Sequence, residues 1–132
     1  TGQKEYLKGI VEKLRHAGIA VSIFVEPERK QIEAAREAGA DRVELHTGVY
    51  AKATGDNEKV KELNRLRTSA ELAHNLGLEV NAGHDLNFRN LRMVARIPYL
   101  REVSIGHNIV ARAIFIGLGK AVTEILDILQ EA

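Results

Sequence analysis

No cysteine occurs among the 132 residues. That removes disulfides, thiolate metal sites and a cysteine nucleophile together. An excess of charge of one sign is lacking too: 19 Lys and Arg stand against 18 Asp and Glu, for a formal net charge of +1. The basic residues are spread along the chain, so the basic stripe that duplex nucleic acid requires is missing and no nucleic-acid partner is expected. The longest apolar run, Ile109 to Leu118, is broken by Arg112 and is too short to span a bilayer. No signal peptide is legible; no membrane partner is expected, and the expectation is a cytoplasmic protein. What is present is one domain's worth of chain over 1–132, 45% hydrophobic and 28% charged. That is enough apolar content for a sizeable core and too much for disorder.

Helical and strand periodicities alternate along the chain. Tyr6, Leu7, Ile10, Val11 and Leu14 recur at helical spacing between Lys4 and Ala17, with Gly18 at the stop. Ile19 to Val25 is a β-branched, apolar run that predicts a strand, and Pro27 suits the first turn of a helix carrying Ile32, Ala35 and Ala38 and ending at Gly39. Arg42 to Leu45 predicts a second strand, opening into His46-Thr47-Gly48. A polar loop, Thr54 to Asn57, is a lid candidate by composition and leads to a long helix with Val60, Leu63, Leu66, Ala70 and Ala73 on one face. Gly77 ends that helix, and Leu78 to Asn81 is the third strand. A short helix near Asn90 to Ala95, a turn at Pro98, a fourth strand at Glu102 to Ile105 and two helices, about Asn108 to Ile116 and Leu118 to Gln130, complete the chain.

The recurring unit is helix, glycine, strand, polar turn, which argues for a parallel sheet built of right-handed βαβ units. The fold expected is α/β: a helix followed by four βα units, with an extra short helix after the last strand. Four units are half of a (βα)8 TIM barrel. An open flavodoxin-like sheet competes, but it usually wants a fifth strand and leaves the polar strand faces unexplained.

Period-two alternation puts Val43 and Leu45 on one face of their strand and Arg42, Glu44 and His46 on the other. Val80 opposes Glu79 and Asn81, and Val103 and Ile105 oppose Glu102, Ser104 and Gly106. Parallel strands buried on both faces should be apolar almost throughout, so these strands present polar groups on the face away from the helices. Glu44 on such a face is either functional or held in a salt bridge with Arg42 or a neighbouring strand. His46, His84 and His107 all fall at strand ends, where ligands bind in parallel sheets. Their convergence allows either a three-histidine metal site or proton transfer to a small substrate. His16 and His74 sit near helix C-termini and suit the helix dipole, with no chemistry assigned. Gly106-His107-Asn108, a glycine opening a helix after the last strand, has the makings of a phosphate cup of backbone N–H groups.

Several of these residues together resemble a known family. Val43-Glu44-Leu45-His46-Thr47-Gly48 with Tyr50-Ala51, Gly77 to His84, Ile97-Pro98, Ile105-Gly106-His107, Ala111-Arg112-Ala113 and Gly117-Leu118 are similar to pyridoxine 5'-phosphate synthase. The resemblance runs over nearly the whole chain but matches only the C-terminal half of that enzyme, strands five to eight of its barrel. It implies ring-closing condensation of 3-amino-2-oxopropyl phosphate with 1-deoxy-D-xylulose 5-phosphate, without metal or other cofactor. It implies that Glu44 polarises a carbonyl or stabilises the transition state, that His84 donates a proton, and that Gly106 and His107 hold the phosphate of the amino-ketone. Asp85 stands where the family commonly has a glycine touching the substrate phosphate, so its side chain is expected to point away and its backbone alone to contribute. The half that carries the family's general base is absent from the sequence in hand.

Four strands cannot close a barrel, so exposed sheet edges call for a partner: a second copy of the chain in a homo-oligomer, or a separate N-terminal half. The start at Thr1, without an initiator Met, fits an excised, engineered, processed or incompletely described chain. Two functions remain open. One is the ring-closing synthase acting on phosphorylated small-molecule substrates once the other half is present. The other is a catalytically silent, self-associating half-barrel with at most weak phosphate binding.

Overall fold

A computed structural model describes residues 2–132, with side chains from residue 4 onward. The elements in chain order are α1 (Gly2–His16), β1 (Ser22–Val25), α2 (Arg29–Glu37), β2 (Arg42–His46), α3 (Gly48–Lys52), α4 (Asp56–Asn75), β3 (Glu79–Gly83), α5 (Leu91–Ala95), β4 (Leu100–Ser104), α6 (His107–Ile116) and α7 (Leu118–Gln130). The four strands form one parallel sheet in the order β1-β2-β3-β4. The order follows the chain with no reversal. A doubly wound sheet reverses strand order and carries helices on both faces; here the strands instead advance steadily in one direction with helices packed on one face. The architecture is that of half a TIM barrel, and the flavodoxin-like alternative falls away.

The core lies between the sheet and its helices. Val43, Leu45, Val80 and Ala82 pack with Ile32 and Ala35 of α2, Leu66, Ala70 and Ala73 of α4, Leu91 and Val94 of α5, and Ile125 of α7. Gly18, Gly39 and Gly77 adopt φ of 75°, 86° and 77° just past α1, α2 and α4, the left-handed stop that turns each helix back to the sheet. Among the described residues no helix is long and apolar enough to cross a membrane.

Several expected boundaries move. The first strand begins at Ser22 rather than Ile19, because the Val21 N–H goes to the Asp41 carboxylate at 2.8 Å and the Val21 carbonyl turns to the Asp41 and Arg42 amides. Pro27 lies outside the helix it was expected to open: Glu28 is extended (φ −130°, ψ 132°) and α2 starts at Arg29. The third strand runs on to Gly83, and the fourth begins at Leu100 and ends at Ser104, with a bulge opposite Val80 and Asn81. Helix α3 is not anticipated by the sequence pattern, and the polar loop taken as a lid candidate shrinks because α4 already starts at Asp56. Val60 is 56% exposed rather than part of the buried stripe. The stripe of α1 is only half used: Val11 is buried, while Tyr6 is 74% exposed. The physical reason is position, since α1 flanks β1 at an edge of the sheet.

Candidate functional site

Register places the polar side chains in layers. Phe24, Glu44, Asn81 and Glu102 are aligned across the four strands, and one layer further on His46, Gly83 and Ser104 are neighbours. Because neighbouring residues in a parallel ladder point the same way, all of these lie on the face without helices. At its far end Arg42 pairs with Glu79 at 3.2 Å and Arg101 with the same carboxylate at 3.0 Å. The salt bridge considered for Glu44 is therefore made by Glu79 instead. Glu44 has no ion-pair partner among the described residues; its Oε2 accepts a hydrogen bond from the Ser104 hydroxyl at 3.1 Å. Gly83 makes this possible, since a Cβ there would overlap the Glu44 carboxyl and press on Ser104.

His84 and Asp85 follow at once, both in the left-handed region with φ of 88° and 58°. Such conformations cost about 1–3 kcal/mol each for non-glycine residues and persist only where the surroundings hold them. Four consecutive carbonyls are held here. The Thr47 hydroxyl donates to Gly83 O and His84 O, Asn90 Nδ2 to Asp85 O and Asn108 Nδ2 to Leu86 O. Tyr50, whose hydroxyl pKa is raised by burial, donates in turn to Asn90 O at 2.9 Å.

The His84 ring meets His46 edge-on, with centroids 4.7 Å apart, and Phe24 packs against both. His46 Nδ1 lies 2.6 Å from Glu26 Oε1, and its other ring nitrogen lies against Gly48, where a Cβ would intrude on both imidazoles. Asp85 turns its carboxylate to Lys52 Nζ and to His84 Nδ1, 3.3 Å from each. Burial pushes the Asp85 carboxyl up, but the Lys52 hydrogen bond and the positive charges of His84, Lys52 and His107 outweigh it and hold the group below its ordinary value.

Gly106 is the N-cap of α6, with nothing within 4 Å of where a Cβ would stand. Since Val110 N donates back to Gly106 O, the amides of His107, Asn108 and Ile109 precede the first intrahelical bond and are free for an anion. The helix starts at His107, one residue earlier than the sequence pattern suggested. A cavity of about 510 Å³ is lined by His84, Asp85, Leu86, Ser104, Gly106, His107 and Asn108, among others. Glu44 reaches it through Ser104. The structure thus brings Glu44, His84, Asp85, Gly106 and His107 to one end of the sheet, with His46 beside them. Among the described residues, no group of three His, Cys, Asp or Glu is arranged to hold a metal ion. His16 caps its own helix through Glu12 O, and His74 stacks on Tyr99 at 3.9 Å, both away from this end.

Thr47, Lys52, Asn90 and Ser104 shape the site without having stood out as candidates, and Asn108, read only as part of the cup, adds its side chain. Thr47 offered a local signal, a hydroxyl residue directly after a strand. The others become neighbours only when the loops converge.

The sequence model of one protein family, "Pyridoxal phosphate biosynthesis protein PdxJ", matches residues 1–131. A pyridoxine 5'-phosphate synthase of Chlorobium phaeobacteroides is 52% identical over 124 residues, which is 94% of this chain and 52% of that protein. Relatives of the same name from Thermodesulfovibrio yellowstonii and Idiomarina loihiensis are 45% and 46% identical, covering 98% and 99% of this chain and 53% and 54% of theirs. The chain spans about half the length of the curated relatives it matches.

Proposed function

Because this chain belongs to the PdxJ family of pyridoxal phosphate biosynthesis proteins, we propose that it forms the acid and phosphate-binding half of a pyridoxine 5'-phosphate synthase. The substrates are two phosphorylated small molecules, 3-amino-2-oxopropyl phosphate and 1-deoxy-D-xylulose 5-phosphate. They condense and close a ring with loss of inorganic phosphate and water, in a cytoplasmic setting. The reading is carried by one observation: Glu44, His84 and the open first turn of α6 gather around Gly83 and Ser104.

Each group has a task suited to its surroundings. The free amides of His107, Asn108 and Ile109 and the helix dipole hold the phosphate of the amino-ketone. His84, half exposed beside the cavity, gives a proton to an oxygen that leaves as water. Glu44, without a basic partner among the described residues, stabilises positive charge as the amine condenses with the carbonyl. Asp85 contributes its backbone, its carboxylate being engaged by Lys52.

The partner is the other half of the barrel. Among the described residues, strands β1 and β4 have no neighbour on their outer sides, and apolar side chains are exposed beside both edges. Ile19, Phe24 and Tyr6 are 52%, 53% and 74% exposed near β1; Ile114, Phe115 and Leu118 are 78%, 83% and 61% exposed on α6 and α7. On the open face, Arg42 Nε is buried without a hydrogen-bond partner among the described residues. These features also favour a second reading, a silent half-barrel that associates with its own copy. Formation of pyridoxine 5'-phosphate, measured on this chain with and without strands one to four supplied, separates the two. Product only when the other half is present supports the synthase. No product in either case, with dimers or larger species by light scattering, leaves the silent module. A stable monomer sinks the exposed-edge argument.

A further inference from the structure

The cavity at the end of the sheet has two walls. One is the loop His84–Leu86, the other the segment Ser104–Asn108. Among the described residues, a single hydrogen bond joins these two segments: Asn108 Nδ2 to Leu86 O, 3.0 Å. Beyond it, the first turn of α6 is held by Ile109, which is partly buried against the core. No residue of that helix is fully buried, and Gly106 has open space beside it. One turn on from Asn108, the Arg112 guanidinium lies 5.7 Å from the centre of the Phe88 ring on the same loop, while two of its nitrogens hold Glu124 of α7 at 3.1 and 3.0 Å. The loop itself needs support from several sides, because His84 and Asp85 are both left-handed. Thr47 and Asn90 supply it from below; Asn108 alone reaches it from the wall that carries the anion-binding amides.

We propose that Asn108 is a positioning residue that sets the separation between His84 and the anion-binding turn of α6, so that the site selects substrates by the distance from their phosphate to the atom that accepts the proton. This rests on the assignment of proton donor and phosphate anchor made above. It adds that the two are mechanically joined: a phosphate settling on the backbone amides of His107 and Asn108 bears on the same residue whose side chain holds Leu86, two residues from the imidazole. Misplacement of a reacting group by about 1 Å is worth roughly a hundredfold in rate, so one such tie is enough to matter.

Two variants of the intact protein, with both barrel halves present, test it. Asn108→Ala removes the amide; Asn108→Leu removes the donor while keeping the number and branching of side-chain heavy atoms. With the two phosphorylated substrates, both should lower kcat by about tenfold to a hundredfold while KM changes by less than about threefold. A purely structural role would instead show as a loss of folded protein at unchanged kcat per folded molecule. The second readout is NMR, with inorganic phosphate as the probe. Phosphate should shift the amides of His107 and Ile109 in all three proteins, but the His84 ring only in the native one. A native-like kcat in Asn108→Leu, or a His84 ring that responds equally in every variant, overturns the coupling while leaving the phosphate assignment standing. If phosphate moves no α6 amide even in the native protein, the anchor itself is wrong and the coupling falls with it.

Discussion

The two faces of the sheet are made by the same four strands and differ in almost everything else. The helix-backed face carries Val43, Leu45, Val80 and Ala82, each no more than 1% exposed. The other face carries Arg42, Glu44, His46, Asn81, Glu102 and Ser104, with no helix among the described residues against it. Burial therefore concentrates on one side and polar, ionisable groups on the other, because period-two alternation lets a strand serve both at once. Side chains on the open side can be polar and close-packed, as the His46 and His84 rings are, or without an ion-pair partner among the described residues, as Glu44 is, since the apolar face supplies the burial that keeps the strands in place.

Substitutions on either side sharpen this contrast. The largest effect belongs to the open side: His84→Ala in the intact enzyme should cut kcat by about 10²–10⁴-fold, the range for a lost general acid. KM should stay nearly constant. Steady-state kinetics indistinguishable from native would take His84 out of the acid role. On the helix-backed side, Leu45→Ala should cost about 2–5 kcal/mol of stability in urea unfolding, whereas Glu44→Gln, which keeps the Ser104 contact, should cost less than about 1 kcal/mol. Equal losses would mean that the division of labour between faces is wrong. Gly83→Ala tests the point where the faces meet. Its Cβ would push on Glu44 and on Ser104, at a cost of about 1–3 kcal/mol by overcrowding. The loss of activity should exceed what unfolding explains, because Glu44 must move. A native-like Glu44 position in a structure of the variant would remove the close-approach argument.

The smallest expected effect concerns pH. The Asp85 carboxyl is held below its ordinary value of 3.8, so its contribution to stability is present above that value and is lost as pH falls through the lowered folded-state pKa. Asn tolerates the left-handed backbone as well as Asp does. Asp85→Asn should therefore be slightly less stable than native at neutral pH, and the two should converge on acidification well below 3.8. A gap that persists in acid would point to packing rather than to the charges of Lys52, His84 and His107.

Much of this molecule is legible in one dimension, and the reason is local. Helix stops at Gly18, Gly39 and Gly77 and alternation in Arg42-Val43-Glu44-Leu45-His46 are short-range signals, and each corresponds to an element in the structure. The chain pattern also singled out Glu44, His84, Gly106 and His107, since strand ends in a parallel sheet converge on one rim. Helix α3 escaped notice because five residues give too little periodicity to read. Its consequences, the Gly48 backbone against two imidazoles and Lys52 on Asp85, escaped with it. Tyr6 and Val60 were legible as members of apolar stripes, yet both are exposed, because periodicity says which residues share a face and not whether anything covers it.

The sequence alone determined the order of helices and strands other than α3, the two chemistries of the strand faces and the residue types at the strand ends, all of which depend on neighbours a few positions apart. Only the tertiary structure decided which carboxylate takes Arg42, how Gly83 leaves room for Glu44, and that Thr47, Asn90 and Asn108 hold four successive carbonyls of the His84 loop. The hydrogen bonds to that loop join residues 5 to 37 positions apart. They exist because the sheet sets the register of its strands, which no local pattern specifies.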